Sequence, residues 1–341
     1  MERVMVTDET TQKMFEAIEL ELHHWIDSSY QPHSAELHRM LEYALGWAGE
    51  GAGARARGKR IRPLLVLLSA QAAGGNWRAA LPAAAAVELL HNFTLIHDDI
   101  QDASLERRGR PSLWKLWGTP QAINAGDLMF TLANQAMLGL RVSVNAQAVL
   151  DAIELFQETC VELTQGQYLD LAYEDHHELS LDDYWLMVGG KTASLLGAAT
   201  QLGALITGAD TETHMAYREF GRKIGLAYQA QDDLLGIWGT AEQIGKSTES
   251  DLISGKKSLP VVYSLSTQPN LSKRLNNGGI AVQEVAAVTV QMEAAGAREY
   301  TSSAAESLLK QAMTALEMAQ PEGEASFILR TLTMKILGRE Y

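Results

Sequence analysis

Aspartates stand at helical spacing at the end of an apolar stretch of this chain. Asp98 and Asp102 are four residues apart in HDDIQD, after a segment that is apolar from about residue 82. Residues at this spacing share one face of an α-helix, where two carboxylates repel each other unless a cation relieves them. Mg²⁺ binds one or two carboxylates together with phosphate oxygens, so the spacing predicts a magnesium site. The alternative is a solvated acidic helix end, which the helix dipole disfavours.

A second acidic motif lies far along the chain in another apolar segment. Gln229, Asp232 and Asp233 in QAQDDLLG share one helix face at positions i, i+3 and i+4. A single acidic pair in an apolar helix can be chance, but two such pairs suggest that they face each other across a helical bundle. We therefore predict that the two acidic patches meet and hold cations between them.

Basic residues cluster beside these motifs in an otherwise acidic chain. They occur in GKRIRP, in RRG after the first acidic motif, in GGKTASL and in the segment after the second: Lys59, Arg62, Arg107, Arg108, Lys191, Lys246 and Lys256. Arginine and lysine beside metal-binding carboxylates are suited to a diphosphate. The GxxxxGK[ST] spacing of a nucleotide-binding loop is absent, so phosphoryl transfer from ATP is not indicated.

Composition restricts the class of protein. The 341 residues carry 28 Lys and Arg against 42 Asp and Glu, a net charge of −14, which argues against a nucleic-acid partner. The single cysteine, Cys160, excludes an intrachain disulfide and suggests a reducing compartment. The N-terminal residues lack an apolar signal-peptide core, and no uncharged apolar run reaches about 18 residues. We expect a cytoplasmic protein without a membrane span.

The segments between these motifs have the periodicity of helices. Apolar residues recur every three or four positions, and strict alternation is rare, in residues 12–27, 61–74, 82–101, 121–140, 145–170, 181–206, 212–238, 258–265, 300–318 and 324–337. Several segments would form helices that are apolar on nearly every face. Such helices must be buried on most sides, which requires other long helices packed around them. The pattern predicts an all-α fold, with residues 1–341 forming one large domain of about ten or more helices around a central cavity. Residues 268–299 are polar with weak periodicity, and we assign them no role.

Taken together, the motifs resemble one enzyme family. HNFTLIHDDIQDASLERRGRPS, GKRIRP, GGKTASLLGAA, YQAQDDLLGIWG and GKSTESDLISGKKSLP are similar, in order and spacing, to those of trans-isoprenyl diphosphate synthases, the polyprenyl synthetase family, over residues 58–265. The resemblance implies the isoprenoid synthase fold and a homodimeric, magnesium-dependent prenyltransferase of isoprenoid biosynthesis. Its substrates would be isopentenyl diphosphate and an allylic diphosphate (dimethylallyl, geranyl or farnesyl). The second motif departs from the commonest pattern, with Gly236 in place of a third aspartate.

The resemblance also implies a role for each matching residue. It implies three Mg²⁺ ions, held by Asp98, Asp99, Asp102, Asp232 and Asp233. The isopentenyl diphosphate headgroup would contact Lys59, Arg62, His91 and Arg108. The allylic diphosphate would contact Arg107, Lys191, Lys246 and Lys256. Thr192 and Gln229 would line the reacting carbocation, with Gln167 and Asp170 supporting the site.

Product length is the least determined property. The growing chain would run back from Asp98 along the apolar helix, which provides about 22 Å as far as Ala83 at 1.5 Å per residue. Phe93 and Thr94, five and four residues before Asp98, resemble the pattern of geranylgeranyl (C20) synthases. Phe93 would be the floor of the pocket or an ordinary core residue. Ideal helix geometry puts Phe93 well off the Asp98 face, so geometry alone does not give it the role of a floor.

Other activities remain possible from the sequence. A farnesyl (C15) or longer-chain synthase would share every motif. A class I terpene cyclase would share the fold and an aspartate motif but would not need Lys59, Arg62 and the Arg107-Arg108 pair as a second headgroup site. A non-catalytic subunit of a heteromeric synthase would tend to lose the aspartate motifs, whereas DDxxD is complete here.

Overall fold

The structure of the chain is a computed structural model. This structure describes residues 9–174, 176, 178–239, 250–268, 271, 274–275 and 279–335. Within these ranges, regular β structure is limited to one antiparallel pair, Glu106–Arg107 (β1) and Arg110–Pro111 (β2). The all-α class predicted from the sequence is confirmed.

The helices follow the predicted segments closely. Their bounds are α1 Glu9–Ser28, α2 Ala35–Ala44, α3 Ala54–Arg57, α4 Ile61–Ala72, α5 Leu81–Gln101, α6 Leu113–Trp117, α7 Thr119–Gly139, α8 Ala146–Glu174, α9 Leu181–Val188, α10 Ser194–Ile206, α11 Thr211–Trp238, α12 Ser250–Ser254, α13 Leu259–Thr267, α14 Val282–Ala294, α15 Ala297–Met318 and α16 Gly323–Lys335. A π-helical turn, Gly189–Ala193, joins α9 to α10. The sequence did not predict α2, α14 or the short helices α3, α6 and α12. Helix α14 lies in the weakly periodic 268–299 segment.

Helix α5 carries the first acidic motif at its C-terminal end. Pro82 stands in its first turn, where the missing N–H costs no hydrogen bond, and alanines and leucines favour the helix that follows. Residues 82–90 are buried without interruption. Among the described residues, Trp77–Gln101 is long and apolar enough to cross a membrane, yet 67% of its most apolar window is buried inside the fold.

Contacts between Cα atoms divide the chain into two compact units, with boundaries between residues 155 and 156, 198 and 199, and 211 and 212. In the unit that contains α5, this helix packs against α7, α4 and α1. The last turns of α10 belong to the same unit and cross α4 closely. A Cβ atom on Gly203 would lie 2.2 Å from the Val66 carbonyl oxygen, so only glycine permits this approach.

The other unit contains α9, α11 and the helices from α12 to α16. Helix α13 packs against α15 and α9, and α14 packs against α15. One of its apolar clusters brings together Tyr184, Met187, Ala230, Leu259 and Val262, from α9, α11 and α13. Two of its members, Tyr184 and Leu259, donate hydrogen bonds to Asp233 of the second acidic motif. A single domain over residues 1–341 stays a prediction.

Candidate active site

The first acidic motif occupies the C-terminal turn of α5. Asp98 is partly exposed, whereas Asp99 is buried. Arg107 in β1 donates to Asp99 Oδ1 over 2.6 and 2.9 Å and to Asp98 Oδ2 over 3.2 Å. The short hairpin of β1 and β2 thus turns Arg107 back onto the aspartates. This leaves Asp98 and Asp102 as the more accessible carboxylates of the motif.

A cationic cluster lies in the same unit. Arg62 Nη1 is 3.2 Å from His91 Nε2, and Arg108 Nη1 donates to the carbonyl oxygens of Ala56 and Arg57 over 2.9 and 2.8 Å. Burial and the charges of Arg62 and Arg108 lower the pKa of His91 well below its usual value, so this imidazole is neutral at pH 7. Lys59 is exposed. This concentration of positive charge in a chain of net charge −14 is suited to an anionic ligand.

The backbone between the predicted ligands Lys59 and Arg62 is held by a buried ion network. Arg60 has a left-handed backbone conformation, with φ of 47°. Its guanidinium donates to Glu19 Oε1 over 2.8 Å, to Glu88 Oε1 over 2.7 Å and to the Leu45 carbonyl oxygen over 3.0 Å. Because left-handed conformations are unfavourable outside glycine, these contacts help to hold the turn that presents the two neighbouring cations.

In the other unit, Lys191 and Thr192 lie on the π-helical turn. Lys191 Nζ forms an ion pair with Asp170 on α8, and Thr192 Oγ1 donates to Gln229 Oε1 over 3.1 Å. A Cβ atom on Gly166 would lie 2.1 Å from the Lys191 backbone nitrogen, so glycine is required where α8 meets this turn. π-helical turns often occur at functional sites, because they displace side chains from regular helix positions.

The two aspartates of the second motif differ in their surroundings. Asp232 is exposed, whereas Asp233 is buried. Asp233 Oδ2 accepts hydrogen bonds from Tyr184 Oη over 2.6 Å and from the Leu259 N–H over 2.8 Å; its Oδ1 accepts from Gln229 Nε2 over 2.9 Å. These bonds fix the position of the Asp233 carboxylate, and its direct metal ligation stays a prediction. Burial and the charge of Asp233 raise the pKa of Tyr184 well above its usual value, so the phenol remains a donor.

Lys256 lies beside the second motif. Its Nζ atom is 3.5 Å from Asp233 Oδ1 and 3.8 Å from Asp251 Oδ2. Although burial opposes the charged form, the charges of Asp233 and Asp251 raise the pKa of Lys256 above its usual value. The lysine is therefore charged at neutral pH, and its contact with a diphosphate stays a prediction. Lys246, predicted for the same role, lies outside the described residues.

The donor set fits magnesium shared with a diphosphate. Among the described residues, no three Asp, Glu, His or Cys side chains form a group that could hold a metal by themselves. Mg²⁺ needs fewer protein ligands when substrate phosphates complete its coordination, and it prefers hard carboxylate oxygens. Asp98 and Asp102 in one unit, and Asp232 in the other, supply such oxygens. That the two patches meet around shared ions stays a prediction.

Comparison with known proteins agrees with this chemistry. The polyprenyl synthetase family model matches residues 52–292. The chain belongs to the polyprenyl synthetase family. It is 37% identical over 326 residues to the geranylgeranyl diphosphate synthase of Mycobacterium tuberculosis, covering 94% of this chain and 90% of that one. It is 40% identical over 280 residues to that organism's (2E,6E)-farnesyl diphosphate synthase, and the match covers 78% of this chain and 76% of the relative.

A solved structure shares the whole fold. The polyprenyl synthetase of Streptomyces coelicolor A3(2) superposes with a TM-score of 0.87 at 33% identity, over 97% of this chain and all of that one. The predicted family, isoprenoid synthase fold and prenyltransferase class are thereby confirmed. Family membership makes the chain a trans-prenyl chain-elongating enzyme, while its relatives include synthases of different product length.

Sequence reasoning missed several residues that shape this polyprenyl synthetase. Tyr184 was not singled out, since nothing local marks its bond to Asp233. The sequence does contain a signal for the Arg60–Glu88 pair. Glu88 stands inside the apolar run AAAAVELL, and a buried glutamate requires a partner. Phe130 on α7 was also missed; its ring centroid lies 5.0 Å from that of Phe93. Phe93 also packs against His97, at 4.6 Å between centroids.

Proposed function

We propose that this polyprenyl synthetase catalyses the magnesium-dependent, head-to-tail condensation of isopentenyl diphosphate with an allylic diphosphate, giving all-trans geranylgeranyl diphosphate (C20). The observation that carries the proposal is the cluster of Arg62, His91 and Arg108 near a complete DDxxD motif. An enzyme that joins two diphosphates needs a headgroup site besides its metal-binding carboxylates. A class I terpene cyclase has no use for that additional site.

The metal-binding role rests on the accessible carboxylates. Asp98, Asp102 and Asp232 would hold Mg²⁺, with Asp99 and Asp233 acting mainly through their hydrogen bonds. When bound, the ions supply Lewis-acid stabilisation of the departing diphosphate. The number of ions, three, is part of the proposal.

The first chemical step breaks the allylic C–O bond, with both bonding electrons leaving on the diphosphate. Arg107 and Lys191 would neutralise that charge as it develops, together with Lys256. In the free enzyme Lys191 and Lys256 are held by Asp170 and by Asp233 with Asp251, so these cations are positioned before the substrate arrives. Positioning of this kind avoids reorganisation during the reaction.

The second step adds the isopentenyl double bond to the allylic cation. Gln229 Oε1, which accepts from Thr192, presents a carbonyl dipole of the correct sign to stabilise positive charge. Gln229 is fixed at its other end by the bond from Nε2 to Asp233. The new carbon–carbon bond leaves a cation that loses one proton, which the released diphosphate would accept. Neutral His91 would donate a hydrogen bond to the isopentenyl headgroup.

The C20 product is proposed from the aromatic pair of α5 and α7. Phe93 and Phe130 pack together within the unit that carries DDxxD, and Thr94 is the smaller residue on the Asp98 side of the helix. Thr94 Oγ1 donates to the His91 carbonyl oxygen over 2.7 Å, which keeps this side chain close to the helix backbone. Two aromatic rings packed together in this way would stop a growing prenyl chain.

The deciding experiment supplies Mg²⁺, isopentenyl diphosphate and, in turn, the dimethylallyl, geranyl and farnesyl diphosphates, with products sized by chromatography. We expect a C20 product whose formation requires isopentenyl diphosphate. Consumption of an allylic diphosphate without isopentenyl diphosphate would indicate a cyclase-like reaction, and a product ending at C15 or beyond C20 would correct the chain length. Inactivity that only a second subunit relieves would indicate a regulatory subunit.

Assembly and location belong to the same proposal. We propose a homodimer, which sedimentation of the purified chain tests directly. We also propose a cytoplasmic location, in keeping with the lone Cys160.

A further inference from the structure

A buried arginine joins strand β2 to the loop that follows α2. Arg110 is 7% exposed, and no carboxylate of a described residue forms an ion pair with it. Its guanidinium donates instead to three backbone carbonyl oxygens, those of Tyr43 over 3.2 Å, Ala48 over 2.6 Å and Glu50 over 2.9 Å. The same group lies over the Tyr43 ring, with 3.8 Å between Cζ and the ring centroid. Because a buried charge is costly unless hydrogen bonds satisfy it, these contacts fix the backbone around the arginine.

Residues 46–53, which we call the glycine loop, fit closely around this side chain. Gly49 and Gly51 have positive φ angles of 83° and 71°, which are unfavourable for other residues. A Cβ atom on Gly49 would lie 2.7 Å from the Tyr43 ring and 3.1 Å from Arg110 Nη2. A Cβ atom on Gly51 would lie 3.3 Å from Arg110 Cγ. The path of the glycine loop is therefore adapted to the arginine side chain.

The glycine loop in turn contacts the segment that leads to Lys59, a predicted headgroup ligand. A Cβ atom on Gly46, its first residue, would lie 2.4 Å from the Arg57 backbone nitrogen. Arg108 Nη1 donates to the carbonyl oxygens of the two residues before Gly58, over 2.9 and 2.8 Å. A Cβ atom on Gly58 would lie 2.6 Å from Arg108 Cζ, so the guanidinium packs directly against this glycine. The glycine loop and Arg108 thus contact the same short segment, next to Lys59.

We propose that Arg110 is a positioning residue for the isopentenyl diphosphate site, acting through the glycine loop on the separation of Lys59 and Arg108. The inference rests on the proposed function, because it assumes that these two cations bind one diphosphate headgroup. Like charges repel each other until the anion arrives, so the segments that carry them need a restraint in the free enzyme. The contacts of Arg110 supply that restraint, because they join the hairpin of Arg108 to the loop beside Lys59.

The effect should be confined to one of the two substrates. Arg107, the predicted contact of the allylic diphosphate, has its own hydrogen bonds to Asp98 and Asp99. Loosening the glycine loop should therefore raise the KM for isopentenyl diphosphate and leave the KM for the allylic diphosphate within about twofold of its original value.

The decisive variants are Arg110→Met and Arg110→Lys. Methionine keeps an unbranched stem but removes every donor. Lysine keeps the charge on a single nitrogen, which cannot reproduce the planar fork that serves three carbonyl oxygens. Misplacing a binding group by about 1 Å can cost about a hundredfold, but both headgroup cations remain present. We therefore expect the KM for isopentenyl diphosphate to rise about tenfold in Arg110→Met and about fivefold in Arg110→Lys, with kcat changed by less than about threefold.

Steady-state kinetics of the full chain, with each substrate varied in turn, measure these changes. Arg141→Met, at an exposed arginine of the same compact unit, is the matched control and should leave both KM values unchanged. Partial unfolding lowers the apparent kcat through the amount of active enzyme but does not change KM, so the kinetics distinguish positioning from lost stability. Hydrogen exchange followed by mass spectrometry adds a second readout: peptides from residues 46–58 should exchange faster in Arg110→Met, whereas peptides from α5 should not.

The outcomes are distinct. An original KM for isopentenyl diphosphate in Arg110→Met would overturn the inference, and so would equal increases in both KM values, which indicate a general disturbance of the site. Full recovery in Arg110→Lys would also overturn it, because charge rather than the fork of donors would then suffice. If circular dichroism shows that Arg110→Met is misfolded, Arg110→Lys alone decides.

The same kinetics separate this inference from the proposed function. If the unmodified chain condenses its substrates and the Arg110 variants keep both KM values, only the positioning role is rejected. If the unmodified chain condenses isopentenyl diphosphate with no allylic diphosphate, the proposed function fails and the inference fails with it.

Discussion

Replacing Glu88 with glutamine should reveal how strongly the buried ion network supports the headgroup site. The Arg60 side chain is 4% exposed and that of Glu88 is 3% exposed, so both charges have lost their water. The substitution keeps the size of the side chain but removes its charge. Arg60 would retain the Glu19 carboxylate and the Leu45 carbonyl oxygen, and Asn92, which donates to Glu88 Oε1 over 2.9 Å, would lose part of its acceptor.

The expected loss follows from this geometry. Removing one partner of a buried ion pair usually costs about 3–5 kcal/mol, because it leaves a desolvated charge behind. Since Glu19 remains beside Arg60, we expect the lower end, about 3 kcal/mol of unfolding free energy. The matched control is Glu293→Gln, which removes an ion pair with Arg298 whose side chains are about half exposed. Such surface pairs contribute about 0–1 kcal/mol.

Urea denaturation followed by circular dichroism measures both variants. Steady-state kinetics of the folded Glu88→Gln variant should show a higher KM for isopentenyl diphosphate with a smaller change in kcat, because Arg60 holds the turn between Lys59 and Arg62. A stability loss equal to that of Glu293→Gln would refute the claim that the network is a desolvated set of charges. Wild-type KM in a clearly destabilised variant would refute its positioning role.

The remaining predictions concern metal, product length and pH. Asp98→Asn and Asp232→Asn should each lower turnover by orders of magnitude without changing the circular dichroism spectrum; near-normal turnover in either would contradict its assignment as a metal ligand. Phe93→Ala should lengthen the product, and an unchanged product distribution would remove Phe93 as the floor of the pocket. Burial and the neighbouring arginines lower the pKa of His91 in the folded state. At a pH below about 6.5, the usual pKa of histidine, the unfolded chain therefore binds a proton that the folded chain does not. The free energy of unfolding should therefore fall as the pH drops below that value. Between pH 7.5 and 5.5, urea titrations should show that His91→Gln loses less of this free energy than the original chain does. Equal losses in the two proteins would count against the lowered pKa.

Much of the candidate site could be predicted because its motifs are local. Asp98 and Asp102 share a helix face by spacing alone, and the same holds for Gln229 and the aspartates that follow it. The long helices were predictable for a similar reason: apolar residues at three- and four-residue intervals repeat over many turns. By contrast, α14 lies in a stretch whose periodicity was too weak to indicate a helix, although Val285, Val288 and Met292 form a buried face there.

The functional contrast within the second motif was not predictable. In the sequence, Asp232 and Asp233 are equivalent neighbours in an apolar helix. The structure makes them different, because one carboxylate is exposed and the other receives hydrogen bonds from Tyr184 and from the backbone of Leu259. These donors are 49 and 26 residues away, so no local pattern could have paired them with Asp233.

The sequence by itself determined the helical class, the family and the identity of most charged residues in the site, since these depend on short-range spacing and on motifs read in order. Tertiary structure decided which of those charges are buried, which are already paired and which remain accessible. The contacts of Arg60 with Glu88 and of Tyr184 with Asp233 arise only when helices pack, because packing brings distant residues within hydrogen-bond range and removes water from around them.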